Sequence, residues 1–311
     1  MINQKPKGFI PVMLTPFQEN GKIDFQGLTE LTRFYLEAGA AGLFANCLSS
    51  EMFELTPGER LAVIKHVLDV TDGAVPVVAT GTFGGPLAQQ ADFVKQVYDL
   101  GVQAVIAITG LLAEENEPEA VFADRAFGLF NLTPNIPLGF YECPVPYKRI
   151  ISPATLQQFV STGRVIYHKD TCLDINQVGE KLRLANNSNF GLYDAYMGHA
   201  VESLKAGSAG LSCIQGNYFP ELIVWLCHNF DNPELIGEVD RVQQFFIQHM
   251  EVMHAVYPVV SKYFLQKRGL GISTFTRRDV GNFTPKIKND IDNFYQNYNR
   301  LQEELDLKVV V

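Results

Sequence analysis

The feature that most restricts this chain is a repeated alternation of short β-branched apolar runs with longer segments of helical period, at spacings of about 30 residues. Eight runs read as strands: Phe9–Leu14, Gly42–Cys47, Val75–Ala79, Ala104–Ile108, Ile136–Tyr141, Val165–Lys169, Phe190–Asp194 and Ala209–Ile214. Helical stretches lie between them at Phe25–Ala38, Pro57–Val70, Leu87–Leu100, Glu117–Phe130, Pro153–Thr162, Asn176–Ala185 and Gly198–Lys205. Several are followed by glycine (Gly39, Gly73, Gly101, Gly163, Gly207), which takes the left-handed conformation that closes a helix. Thr56-Pro57-Gly58-Glu59 and Ser152-Pro153 read as helix starts, with a hydroxyl to accept from an early amide and proline in the first turn.

Eight strands at this spacing fit an α/β chain wound as a closed (β/α)8 barrel. An open doubly wound sheet more often stops at roughly five to seven strands and opens on a Gly-x-Gly-x-x-Gly turn, which is missing here. Gly81–Gly85 follows a strand but has neither that spacing nor a phosphate-binding lysine, and reads as a loop. The eighth winding closes near Ser212–Phe219 with a helix at Pro220–His228, which sets a barrel domain over residues 1–230. Residues 231–311 carry helical patterns at Pro233–Val256, Val259–Arg268 and Lys286–Leu305, a C-terminal helical domain of about three helices.

Composition narrows the function. Asp and Glu number 34 against 25 Lys and Arg, a net charge of −9, which disfavours a nucleic-acid partner because phosphate neutralisation needs a basic face. No apolar run approaches the ~20 residues that span a bilayer. The polar start Met1–Gly8 lacks the apolar core of a signal peptide. These features place the chain in the cytoplasm, away from membranes. Cys47, Cys143, Cys172, Cys213 and Cys227 are odd in number and widely spaced, which suits free thiols in a reducing compartment. The histidines contain no H-x-x-x-H pair, and His249 and His254 lie five apart, so no metal site is expected.

In a (β/α)8 barrel the reactive groups lie at the C-terminal ends of the strands. The sixth strand reads Val165-Ile166-Tyr167-His168-Lys169-Asp170, so Lys169, Tyr167 and Val165 share one face and His168 takes the other. Pointed inward, Lys169 would set an amine on an apolar floor, where desolvation favours the neutral form that attacks a ketone. Position alone also allows a lysine whose stem lies on apolar surface with its head in water. Tyr141, at the end of the fifth strand, could place a phenol one strand away as a proton shuttle, or be a packed tyrosine. In Cys47-Leu48-Ser49-Ser50-Glu51, adjacent amides and two hydroxyls before a capped helix make a candidate carboxylate cradle.

Thr15-Pro16-Phe17 after the first strand, the serine loop, Tyr141-x-x-Pro144 and Lys169-Asp170-Thr171 occur in one order, with Gly207-x-x-Gly210 and Asn217-x-x-Pro220 near the eighth strand. Over nearly its whole length the chain resembles the N-acetylneuraminate lyase/dihydrodipicolinate synthase family of Schiff-base enzymes. The resemblance implies a barrel with three C-terminal helices, a homo-oligomer (a dimer, or a tetramer built from dimers), and an imine between Lys169 and a 2-oxo acid such as pyruvate. It implies Tyr141 as the acid/base phenol and Leu48, Ser49 and Ser50 as holders of the substrate carboxylate, with Ser212 on the eighth strand as a further substrate contact. No metal or organic cofactor is then required, because the lysine serves as the electron sink.

The sequence also departs from that family. Leu48 stands where a relay hydroxyl is usual, and Glu142 where asparagine is usual. Thr109-Gly110-Leu111-Leu112 lacks the tyrosine lent to a neighbouring subunit. Pro146 aligns with an arginine that grips a second carboxylate, and Arg149 lies three residues further on. These losses argue against dihydrodipicolinate synthesis and toward a pyruvate-yielding lyase, an aldolase or dehydratase of 2-keto-3-deoxy or hydroxy-oxo acids. Phe83, Leu111, Leu112 and Tyr147 are expected to make the pocket wall apolar, and Arg277/Arg278 to be solvated or intersubunit charges. The alternatives are a synthase-like condensation, a barrel that binds 2-oxo acids without turning them over, and, more remotely, a phosphate-binding barrel enzyme.

Overall fold

A computed structural model describes residues 7–187 and 189–308, and the polar start at Met1–Pro6 lies outside the described residues. The strands are β1 Gly8–Phe9, β2 Leu43–Ala45, β3 Val77–Thr80, β4 Ala104–Ile108, β5 Leu138–Tyr141, β6 Val165–Asp170, β7 Gly191–Asp194 and β8 Gly210–Leu211. They alternate with α1 Phe25–Glu37, α2 Pro57–Thr71, α3 Leu87–Asp99, α4 Glu119–Leu132, α5 Pro153–Ser161, α6 Ile175–Leu184, α7 Ala200–Ala206 and α8 Pro220–Asn229. Neighbouring strands pair in parallel in the order β1-β8-β7-β6-β5-β4-β3-β2. A parallel bridge between Val12 and Phe44, with the Phe44 amide donating to Pro11 O at 3.0 Å, joins the first strand segment to the second and completes the ring. The expected α/β winding of eight strands is therefore present.

The first strand is shorter than Phe9–Leu14 because Pro11 has no N–H for the ladder. The eighth is shorter than Ala209–Ile214 because the chain turns at once into a 3-10 segment, Ile214–Asn217. Closure between β1 and β8 requires glycine: a Cβ on Gly210 would lie 1.6 Å from the carbonyl oxygen of Gly8. Gly210→Ala is accordingly expected to cost about 3 kcal/mol or more by prising the two strands apart. The urea midpoint measures this, and an unchanged midpoint would show that the seam is not tight.

Side chains pointing into the barrel, among them Ile10, Val12, Phe44, Val78, Ile106 and Tyr167, form one buried cluster, and the helices pack on the outer faces of the strands through another. The predicted caps are present. Thr56 Oγ1 accepts from the Glu59 amide while Glu59 Oε2 accepts from the Thr56 amide, and Ser152 Oγ accepts from the Thr155 amide. Beyond the barrel lie α9 Ile236–Gln248, α10 Met250–His254, α11 Val259–Lys267 and α12 Pro285–Glu304. The helix expected across Pro233–Val256 is broken at His249, where ψ opens to 12°. Phe219, at the start of α8, stacks on Phe246 and Tyr298, so the C-terminal helices share a core with the end of the barrel. None of the helices described is long and apolar enough to cross a membrane.

Candidate active site

Alternation along β6 turns Val165, Tyr167 and Lys169 inward. The side chain of Lys169 is only 4% exposed, and its Nζ lies 4.2 Å from the centre of the Tyr141 ring, on the adjacent strand and in register with it. Among the described residues it forms no ion pair. Burial therefore acts on the amine without a counter-charge and lowers its pKa. The groups around it are the sulfurs of Cys47, Cys143 and Cys213. Burial pushes the Cys143 thiol up to about 11 and the Cys213 thiol up to about 12, so both are neutral at pH 7 and do not restore the ammonium. Burial likewise raises the Tyr141 phenol well above its usual value; its hydroxyl meets the Cys143 thiol and its ring stands edge-on to Phe44. Gly139 makes room beneath, because a Cβ there would lie 2.8 Å from Tyr167 O and 2.6 Å from Ile106 Cδ1.

Lys169 and Tyr141 open into a cavity of about 250 Å³ that Leu48 and Ser49 also line. Residues Leu48–Ser50 form a single 3-10 turn. The first amides of such a turn have no partner behind them, and among the described residues the Leu48 and Ser49 amides donate to no protein group. The Leu48 and Ser49 amides are thus left without a protein acceptor among the described residues, beside the cavity. Ser49 and Tyr257 line the same cavity, and the Ser49 side chain favours the ionised form of the Tyr257 phenol, against the larger upward effect of burial.

Two expected contacts are corrected. Ser50 is spent on the turn itself: its Oγ donates to Met13 O at 2.6 Å and accepts from the Cys47 amide at 3.0 Å, and its own amide donates to Cys47 O. Ser212 is fully buried below the cavity, where its Oγ accepts from the Tyr167 hydroxyl at 3.1 Å. Tyr167 lies two residues before Lys169 on the same face, so its ring fills the barrel one layer down and takes Ser212 with it.

The expected apolar wall is also misplaced. Leu111, Leu112, Pro146 and Tyr147 line a different, larger cavity of about 890 Å³ with Glu114 and Arg125, and none of the reactive groups faces it. Phe83 packs edge-on against Phe53 beneath the Arg60 guanidinium. Arg149 is held away by the carbonyls of Glu114 and Glu117 at 2.6 and 2.9 Å, so it does not replace the missing arginine. The wall is made instead by Lys148, His254, Tyr257 and Arg278, none of which the sequence reading assigned to the site; Arg278 was expected as a solvated or intersubunit charge. Tyr257 ends a hydrogen-bond chain in which Tyr35 donates to Asn217 Oδ1 at 2.5 Å and Asn217 Nδ2 donates to the Tyr257 hydroxyl at 2.6 Å. Arg277 pairs within the chain, with Glu59 at 2.6 Å, and holds that carboxyl near a pKa of about 2.

Behind β5 and β6 lies a second cluster, sealed from water. Lys181 Nζ donates to Glu142 Oε1 at 2.7 Å and to Asp170 Oδ2 at 2.6 Å, and His168 Nε2 lies 3.4 and 3.5 Å from the same two oxygens. All four side chains are 0% exposed. Glu142, His168 and Asp170 converge as a cation site would, but the Lys181 ammonium fills that place. Glu142 also accepts from the Ile151 and Thr171 amides, at 3.0 and 2.9 Å, and so ties together the loops after both strands. Tyr141 precedes Glu142, and Lys169 stands between His168 and Asp170, so the cluster braces the backbone of both residues from behind.

Over residues 5–297 the chain matches the profile of the dihydrodipicolinate synthetase family. Among curated relatives, it is 26% identical over 269 residues to a 4-hydroxy-tetrahydrodipicolinate synthase of Methanococcus maripaludis, covering 86% of each chain. It is 22% identical to the enzyme of that name from Clostridium novyi, covering 96% of this chain and 98% of the relative. Among solved structures it shares its fold with a prophage protein of E. coli, determined in complex with pyruvate, at a TM-score of 0.84 and 19% identity over 96% of this chain and 99% of that one. The Clostridium difficile protein CdNal, in complex with mannosamine, overlays at a TM-score of 0.82 and 18% identity, covering 94% of this chain and 99% of that one.

Proposed function

The chain belongs to the dihydrodipicolinate synthetase family, and from that membership we propose that it makes or breaks a carbon–carbon or carbon–oxygen bond in a 2-oxo acid through an imine on Lys169. The observation that carries the reading is a buried, unpaired amine facing a small cavity beside a buried phenol. A neutral amine adds to the C2 carbonyl; with one proton taken up, the former carbonyl oxygen leaves as water and an iminium remains. Tyr141 gives its proton to that departing oxygen and, in the cleavage direction, as the phenolate so formed, takes the proton of the C4 hydroxyl while the C3–C4 electron pair moves into the iminium. The aldehyde departs, the enamine is protonated at C3, and water adds at C2 to release pyruvate and the amine. In the dehydratase version the enamine expels a hydroxyl instead. The Leu48 and Ser49 amides and the Ser49 hydroxyl hold the C1 carboxylate, a fixed set of donors that needs no rearrangement during the reaction.

A lyase of this kind is named by the amine that carries its intermediate. Incubation with pyruvate and borohydride is expected to leave a reduced adduct on the peptide that contains Lys169, read by mass spectrometry. An unmodified Lys169 under saturating pyruvate would overturn the proposal.

A further inference from the structure

We propose that the mouth of the Lys169 cavity is an anion subsite, formed by Arg278 with Lys148, that selects substrates bearing a second anionic group, a carboxylate or a phosphate-type group, beyond the 2-oxo acid head. The inference rests on Lys169 as the imine-forming amine and adds the chemical class of the distal half. Although the chain carries a net charge of −9, no Asp or Glu lines this cavity, whereas the cations of Lys148 and Arg278 both do. A recess lined by one sign of charge concentrates ligands of the other.

Lys148 and Arg278 have donors to spare. Lys148 Nζ donates to Thr171 O at 3.0 Å, which uses one of its three protons. His254 Nδ1 donates to the Met250 carbonyl at 2.7 Å, so its Nε2 is an acceptor in this tautomer and adds no donor for an anion. The Arg278 guanidinium forms no hydrogen bond or ion pair among the described residues, while its backbone is pinned. The amides of Arg277 and Arg278 donate to Glu51 Oε2 at 2.6 and 2.9 Å, and Lys262 Nζ holds the other oxygen at 3.0 Å. Glu51 is 1% exposed and already matched by Lys262, so it fixes Arg278 without neutralising it. Glu54, the other carboxyl that feels Arg278, is kept above its usual pKa by burial and makes no ion pair with it. Glu51 also follows directly on the Leu48–Ser50 turn that offers the free amides. One buried carboxylate thereby links the donors for the head group to the cation for the tail. The cation comes from the C-terminal segment, not from the Pro146 position, which lines the other cavity.

The test compares matched 2-oxo acids by the concentration that half-saturates borohydride-trapped adduct on Lys169. Pairs are 2-oxoglutarate against 2-oxopentanoate and 2-oxoadipate against 2-oxohexanoate, with 2-oxo-4-phosphonobutanoate as the phosphate-type arm. At least one anionic member is expected to half-saturate at about tenfold lower concentration than its alkyl partner, with the advantage shrinking as salt rises. The better of 2-oxoglutarate and the phosphonate identifies the anion. Arg278→Gln is expected to erase the advantage and Arg278→Lys to keep part of it; a thermal melt checks the fold, and Lys148→Met serves if Arg278→Gln is unfolded. Pyruvate on the unaltered chain separates the two readings. No pyruvate adduct defeats the Lys169 reading and this one with it. A pyruvate adduct with no anionic advantage, or an advantage that survives Arg278→Gln, defeats the subsite alone.

Discussion

Lys169→Met is expected to abolish turnover, lowering kcat by about 10⁴-fold or more, because the other amine of the cavity, Lys148, is tied to Thr171 O rather than set beside Tyr141, and the remaining donors only bind. The same substitution is expected to make the fold more stable. Burial holds the Lys169 pKa below its ordinary value of 10.5, so between the folded and unfolded pKa values the unfolded chain binds more protons than the native one. Stability of the unaltered protein therefore rises with pH through that window, and the cost of the buried amine is largest on its acid side. Methionine removes the cost at a similar volume. Activity follows the same group: the rate of pyruvate-imine formation should climb with pH and level off at an inflection below 10.5, since only the neutral amine attacks. Stopped-flow trapping between about pH 6 and pH 11 reads the inflection. An inflection at or above 10.5, or a Lys169→Met variant less stable than its parent at pH 7, would show that the amine is an ordinary solvated ammonium.

Lys169 and Tyr141 were readable from the sequence because period-two alternation fixes which strand residues face inward, and a barrel puts chemistry at strand ends. Register then made them neighbours, as found. Hydroxyls were harder. Ser49, Ser50 and Ser212 look alike in a sequence, and only the positions of Met13 O, the Cys47 amide and Tyr167 decide which one remains free. Tyr257 and Arg278 belong to the C-terminal segment, with no local spacing that relates them to the barrel; Arg277-Arg278 has the appearance of a surface charge pair until Glu59 and Glu51 are placed beside it. The apolar wall was misassigned for a related reason. Leu111 and Leu112 follow a barrel strand, as wall residues do, but a 3-10 turn at Thr109–Leu111 carries them toward the other cavity. Glu142 stood out as an unusual residue, yet its partner Lys181 reads as an ordinary polar position on α6.

That partnership carries the second large effect. Lys181→Met should destabilise the protein by about 3–5 kcal/mol, the usual consequence of removing one member of a buried ionic cluster and leaving opposite charges unmatched. Apart from backbone amides, the two carboxylates of Glu142 and Asp170 would then share only His168, whose Nε2 is 3.4 and 3.5 Å away, too far for strong hydrogen bonds. In the unaltered chain the signs run as follows for each group. Burial opposes the Asp170 carboxylate, but His168 and Lys181 more than offset it and depress its pKa, so its contribution is present above the usual carboxylate range and is lost as pH falls through the folded value. Burial opposes the Lys181 ammonium too, but Glu142 and Asp170 raise its pKa, so its contribution persists until pH climbs through that raised value. In the variant a buried carboxyl must keep a proton that the unfolded chain releases, so stability falls as pH rises. The deficit relative to the parent should therefore widen between about pH 4 and pH 8 in urea titrations. The same variant should lose kcat at temperatures where it is still folded, because the Ile151 and Thr171 amides lose their anchor on Glu142 and the loops behind Tyr141 and Lys169 slacken. Adding Glu142→Gln to Lys181→Met removes one orphaned charge and should recover part of the stability while leaving the loops loose. Equal urea midpoints for parent and Lys181→Met at pH 8 would mean that water already reaches the cluster, and that the two reactive side chains are held by strand packing alone.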